Sequence, residues 1–234
     1  MAGKLWVVSI PIGDMRDITL RAIEILRNCD VILCEDMKPA GRFLHELSLS
    51  KQLIPLNEHT ESSATDEALE LLRSGKNLAL ISDAGTPLIA DPGQKLVRIV
   101  IEEGIAVSPV PGPSSVLAAV VVSGFRSDKF FFAGFLPRDK PERKRAAIEL
   151  AKMSETVVLL EAPYRLAQLL DDLLTGFGPT RRACVAMELS MPKERVIRGT
   201  LLSLRDSFAA HPFKGEFVVV LEGRQSSVPK PKRN

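Results

Sequence analysis

Short, uniformly apolar runs alternate along the chain with stretches whose apolar residues recur every three or four positions. KLWVVSI (4–10), VILCE (31–35), residues 53–56, NLALIS (77–82) and IAVSPV (105–110) read as strands. Between them lie helical patterns. The first starts at Asp17 and carries Ile18, Leu20, Ile23 and Ile25. Others cover 39–47, 63–73 (opened by Ser63 and Asp66, closed by Gly75), 92–103 (closed by Gly104) and 113–122. Strands that are apolar throughout and separated by helices predict a parallel sheet covered on both faces.

The second half continues with strands at 130–133, 156–161, 182–188, 195–199 and 216–222, and helices over 140–152, 164–174 and 201–209. Only a loop joins 182–188 to 195–199, which predicts an antiparallel pair and hence a mixed sheet. The connection SGFRSD (123–128) marks a boundary. The expected fold class is therefore α/β, with two αβα domains: a parallel-sheet domain over 1–123 and a mixed-sheet domain over 124–223. Residues 224–234, RQSSVPKPKRN, hold no acidic side chain and predict a disordered basic tail.

Composition narrows the class. The 234 residues are 45% hydrophobic and 26% charged, as in a soluble globular protein, and the net charge of +2 does not by itself argue for a nucleic-acid partner. Cys29, Cys34 and Cys184 lack the spacing of a disulfide framework or zinc site and read as small core residues of a reducing compartment. No leader is visible, and the longest apolar run, 116–122, is far short of a membrane span, so a cytoplasmic location without membrane attachment is expected. His45, His59 and His211 are scattered, which predicts no metal centre, and the phosphate-loop, dinucleotide, zinc-protease and serine-hydrolase motifs are missing.

Ligands of open α/β sheets bind beyond the carboxyl ends of the strands. SIPIGDM (9–15), EDMK (35–38), SDAGTPLIADPG (82–93) and PVPGPSS (109–115) all fall there, each with proline or glycine beside polar side chains. One such loop is an ordinary turn with a helix cap; four on one edge point to a small-molecule site. Asp91 suits either ligand contact or an N-cap for a helix starting at Pro92.

Together with PIGD, GFLPR (134–138) and KGEFVVVLEG (214–223), these segments make the chain resemble the tetrapyrrole-methylase superfamily, in particular its bacterial branch that methylates a cytidine ribose 2′-hydroxyl in small-subunit ribosomal RNA. The resemblance spans residues 4–223. It implies S-adenosylmethionine as methyl donor, bound in a cleft between the two domains and lined by Pro11, Asp83, Ala84, Gly85, Leu88, Ile89, Ser114, Ser115, Ala162, Met187 and Thr200. It also implies small-subunit rRNA as partner and a homodimer. The sequence departs from the family pattern at Asp14 and at Lys38, where arginine is usual, and family members often carry a further C-terminal segment.

A ribose hydroxyl is a poor acid and needs a group to take its proton. Asp36, Lys38 and Glu58 follow the second and third strands and are the acceptor-site candidates, with no choice among them as base. Their alternative roles are capping the next helix (Glu35–Asp36) and lying on a solvated loop (Glu58–His59). PRDKPERKR (137–145) supplies Arg138, Lys140, Arg143, Lys144 and Arg145 as candidate RNA contacts, or else a solvated helix face. A small-molecule methyltransferase and a silent donor-binding protein are the competing readings.

Overall fold

The computed structural model describes residues 2–224, and the chain divides into two compact units, 1–114 and 115–234. In the first unit β1 (Lys4–Val8), β2 (Val31–Cys34), β3 (Gln52–Pro55), β4 (Leu78–Leu80) and β5 (Ala106–Val110) form a wholly parallel sheet in the order β3-β2-β4-β1-β5. The strands read as continuous apolar runs because both faces are covered. Ile32, Cys34, Ala79 and Ile81 pack with Ala22 and Leu26 of α1 (Leu20–Asn28) and Ala40 and Leu44 of α2 (Met37–Glu46). Their neighbours Val31, Leu33, Leu78 and Leu80 point the other way, onto Ala68 and Leu72 of α3 (Glu61–Arg73) and Leu96 and Val100 of α4 (Gln94–Glu102). This is the period-two alternation of a strand, and each fully buried leucine or isoleucine stabilises by about 1.5–3 kcal/mol. All three cysteines are buried, as expected.

The second unit holds α5 (Ser115–Ser123), β6 (Phe130–Phe135), α6 (Lys140–Leu150), β7 (Thr156–Leu160), α7 (Leu166–Phe177), β8 (Arg182–Met187), β9 (Arg195–Thr200), α8 (Leu201–Ala210) and β10 (Phe217–Leu221). Its sheet runs β6-β7-β10-β8-β9; β6 and β7 are parallel and the remaining pairs antiparallel, including the expected β8–β9 hairpin. One face, with Val157, Leu159, Val185, Val219 and Leu221, packs against α6, α7 and α8. The apolar α5 lies on β8, β9 and β10, and Arg198 of β9 ties its end by donating to Val122 O and Ser123 O. That packing places α5 in the second unit, so the division falls at 114/115 and not at the expected 123/124.

Local chemistry moved several boundaries. α1 is capped by Thr19, whose hydroxyl accepts from Ala22 N–H; Asp17 belongs to a preceding 3-10 turn and Leu20 is 86% exposed. α3 starts at Glu61 behind Thr60, two residues ahead of the expected start at 63. α4 follows Gly93, which sits at a left-handed φ of 109°, so Asp91 does not cap it. Of the expected tail only Arg224 lies among the described residues; its N–H donates to Met153 O at 2.7 Å.

Candidate functional site

In the first sheet β1 lies between β4 and β5, and the loops that follow these strands are stitched together. Ile10 and Gly85 exchange backbone hydrogen bonds of 2.9 and 3.1 Å. Ser9 Oγ donates to Thr86 Oγ1 at 3.1 Å, and that hydroxyl donates to Pro113 O at 3.0 Å. A Cβ on Gly112 would stand 3.0 Å from Ser9 Cβ, so glycine is what allows the loops after β1 and β5 to touch. Within 83–93 the backbone is left-handed at Gly85 (φ 76°), Leu88 (72°), Ala90 (67°) and Gly93 (109°). For Leu88 and Ala90 this costs about 1–2 kcal/mol each. Such strain persists where surroundings over-determine the chain, and it concentrates at ligand-holding loops. Gly93 N–H is fixed by the Glu61 carboxylate at 3.2 Å.

The candidate donor residues of this unit gather on that framework. Pro11 is buried beside the bridge, Asp83 and Ala84 are exposed, Gly85 is in the bridge, Leu88 packs partly on the core and Ile89 is 42% exposed. Ser114 follows Pro113. The irregular backbone leaves Asp83 and Ala84 outside any ladder, next to an apolar wall.

Carboxylates dominate the charge at this edge. Asp36 N–H donates to Asp83 Oδ1 at 3.3 Å, joining the loops after β2 and β4. Glu35, Ser82, Pro87 and Asp91 line a narrow crevice. Burial, reinforced by the charges of Glu35 and Asp83 and opposed by a hydrogen bond from Ser82, pushes the Asp91 carboxyl up to about 7. Glu35 is raised by burial and then by Asp83, Asp36 and Glu58; Asp83 is raised by burial, with the Asp36 N–H opposing. Mutually repelling carboxylates are relieved by an incoming cation, which is the charge character of a sulfonium with an ammonium group.

The three acceptor-site candidates are placed less uniformly. The Asp36 carboxylate accepts from Lys38 N–H at 2.8 Å and caps α2, while Lys38 is exposed in the first turn of that helix. Glu58 and His59 are 85% exposed and pair at 3.6 Å on the loop after β3. Asn57 is what turns inward there, its Nδ2 donating to Glu35 O at 3.4 Å.

In the second unit the carboxyl ends of β6, β7 and β8 share one edge with the amino ends of β9 and β10. Ala162, after β7, and Met187, closing β8, therefore lie on the same edge; the Met187 side chain is wholly buried, so it presents backbone there. Thr200 does not join them. β9 runs antiparallel to β8, pairing Thr200 with Arg182 at the far edge, where the threonine hydroxyl accepts from Ser203 N–H and caps α8. Ser115 opens α5.

Arg138 follows β6 on the shared edge, and Lys140, Lys144 and Arg145 are exposed on α6. Arg143 corrects the expected basic cluster: it is 2% exposed, with Nε 2.7 Å from Asp172 Oδ2 of α7. Sequence reading also missed the Ser9–Thr86–Pro113 clamp and the partnership of Asp91 with Glu35; the spacing of Asp83 and Asp91 inside one strand-end loop was the available signal.

Comparison with known proteins fits this architecture. Residues 4–205 match the family of Tetrapyrrole (Corrin/Porphyrin) Methylases. The chain is 42% identical over 223 residues to the Ribosomal RNA small subunit methyltransferase I of Xylella fastidiosa, covering 94% of this chain and 82% of the relative. It is 41% identical to the protein of the same name from Thermotoga maritima, covering 95% and 100%. Among solved structures, a cobalt precorrin-4 methyltransferase superposes with TM-score 0.70 at 18% identity, covering 94% of both chains. Uroporphyrin-III C-methyltransferase of Thermus thermophilus, in complex with S-adenosyl homocysteine, gives 0.64 at 21%, covering 94% of this chain and 97% of that one. At such identities these two show a shared fold.

Proposed function

Since this chain belongs to the tetrapyrrole (corrin/porphyrin) methylase family, we propose that it is an S-adenosylmethionine-dependent methyltransferase acting on small-subunit ribosomal RNA, at the ribose 2′-hydroxyl of a cytidine. The observation that carries the reading is the strained, acidic loop 83–93 on the carboxyl edge of a parallel sheet, in a chain about 40% identical to relatives named for rRNA methylation.

The donor, when bound, supplies a methyl group already activated on a sulfonium. The chain's own residues bind, orient and exclude water. Asp83 and Ala84 offer backbone and carboxylate to the donor's polar end, Gly85 holds their loop through its bridge to Ile10, and Leu88 and Ile89 offer an apolar wall. Pro11 follows Ile10, which is bridged to Gly85, and Ser114 follows Pro113, whose carbonyl accepts from Thr86. Asp36, whose carboxylate accepts from Lys38 N–H and whose own N–H donates to Asp83, is the candidate to receive the ribose proton. Lys38, exposed in the next turn, suits a phosphate or the developing alkoxide. Glu58, on its solvated loop, is the weakest of the three.

Arg138, Lys140, Lys144 and Arg145 supply exposed positive charge for RNA backbone. A homodimer is supported by β6, an edge strand with β7 as its one sheet neighbour and with Phe130, Phe131 and Phe135 exposed. No helix among the described residues is long and apolar enough to cross a membrane, and a ribosomal substrate supports a cytoplasmic location.

The test is incubation of the purified protein with radiolabelled S-adenosylmethionine and small ribosomal subunits lacking the modification. Label at one alkali-resistant ribose linkage is the expected result. Donor binding without label in subunits or naked rRNA refutes the rRNA reading and redirects it to a small-molecule acceptor.

A further inference from the structure

We propose that the β8–β9 hairpin loop and the loop entering β10 form a nucleotide subsite, in which one unpaired RNA base stacks on Phe213 while Lys193, Arg195 and Lys214 hold its flanking phosphates. The proposal rests on the RNA reading above and adds a place and mode of contact to it.

These loops border an open cleft of about 550 Å³ lined by Glu188, Lys193, Glu194, Arg195, Pro212, Phe213 and Lys214. That is within the 300–1,000 Å³ of ordinary small-ligand sites. Phe213 is half-buried, anchored edge-to-face on Phe217 at 6.5 Å and 73°, with the Arg195 guanidinium 5.8 Å from its ring centre. An anchored aromatic face beside cations is the combination that holds single-stranded nucleic acid. Three cations face two carboxylates, and Glu194 is engaged by Ser190 N–H at 2.7 Å.

The cleft's walls are fixed by backbone. Glu188 and Ser190 are left-handed at φ 48° and 64°. Glu188 N–H donates to Glu216 O at 2.8 Å, and Gly215 N–H donates to Pro163 O at 3.1 Å. A Cβ on Gly215 would stand 2.8 Å from Phe213 Cζ, so the ring occupies space that any larger residue would fill. Pro163 precedes Tyr164, 71% exposed, and Arg138 follows β6 on the same sheet edge. A single strand laid along this edge meets Arg138, Tyr164, Lys214 and Lys193 in turn. Tyr164 and Phe213 among the cations of one edge form an arrangement suited to gripping an RNA strand at particular nucleotides.

The test uses the full-length protein and a fluorescein-labelled single-stranded RNA decamer carrying one 4-thiouridine. Anisotropy measures affinity, and photocrosslinking followed by peptide mapping locates contact. Phe213→Leu, which keeps volume but removes the ring, is expected to weaken binding about 5- to 150-fold, with Phe213→Tyr close to wild type. Lys193→Ala with Lys214→Ala lowers the salt slope of log affinity by about 1.4. Crosslinks fall in 211–216 or 188–195, and donor affinity stays within twofold in every variant. Unchanged RNA affinity in both variants, crosslinks confined to other segments, or equal competition by a poly-aspartate of matching charge would each overturn the subsite. If wild-type protein methylates small subunits while one of these occurs, the subsite falls and the rRNA reading stands. If wild type transfers no methyl group to RNA, the reading itself falls.

Discussion

The two units differ in charge on the edges that bear candidate site residues. The first, at the carboxyl ends of an all-parallel sheet, concentrates Glu35, Asp36, Asp83 and Asp91, three of them raised in pKa by burial and mutual repulsion. The second, where strands of both directions meet, presents Arg138, Lys193, Arg195 and Lys214 around Glu188 and Glu194. An acidic, strained and partly apolar edge suits a small cationic donor. An open basic edge suits a polyanion, whose binding is dominated by charge. On the proposed reading, similar αβα construction serves two ligands of opposite sign, because function lies in the loops and not in the layers.

The largest expected effect sharpens which basic residues belong to the second edge. Arg143→Ala leaves Asp172 buried without a partner and should lower unfolding free energy by about 3–5 kcal/mol in urea titrations, with the RNA salt slope unchanged in the folded protein. Arg143→Met with Asp172→Leu should recover most of that loss. Recovery absent, with a lowered salt slope, would return Arg143 to the RNA surface.

Next comes the clamp on the first edge. Gly85→Ala puts a Cβ 3.2 Å from Ile12 Cγ2 at a φ of 76°, costing about 1–2 kcal/mol, and calorimetric donor affinity should fall about tenfold. Asp36→Ala should lose about 1 kcal/mol through the missing cap of α2, whereas Asp36→Asn keeps the cap. A fall in methyl transfer for Asp36→Asn without loss of stability would mark the carboxylate as chemical.

The smallest effect is in pH. Asp91 titrates at about 7 in the fold, above the ordinary value of 3.8. A raised carboxyl pKa favours the protonated form, so its contribution is complete below about pH 4 and is lost as pH rises through about 7. Urea midpoints of Asp91→Asn should therefore gain on wild type across that window and level off above it. Parallel curves would show that Asp91 is solvated and has no part in the acidic edge.

Much of this contrast was legible in the sequence. Uniform apolar runs gave every strand of the parallel sheet, because covered faces demand them, and SDAGTPLIADPG marked the loop that the structure shows strained and acidic. Other features depended on direction in space. A run of basic residues reads as one patch, yet Arg143, Ala147 and Leu150 share one helical face, and that face is buried on α7. Thr200 closes a strand that runs back from Met187, so the expected hairpin itself carried it to the far edge. The cap of α4 escaped because a left-handed Gly93, not an aspartate side chain, begins that helix. The Phe213 cleft draws on two loops far apart in sequence, and neither holds a recognisable cluster.

The most direct test of the division between edges is a pair of affinities on one variant, Asp83→Asn: donor by calorimetry and RNA decamer by anisotropy. Donor affinity about tenfold weaker, with RNA affinity within twofold of wild type, is the predicted result. Unchanged donor affinity, or an equal loss for RNA, would contradict the assignment of the cationic donor to the acidic edge and of the polyanion to the basic one.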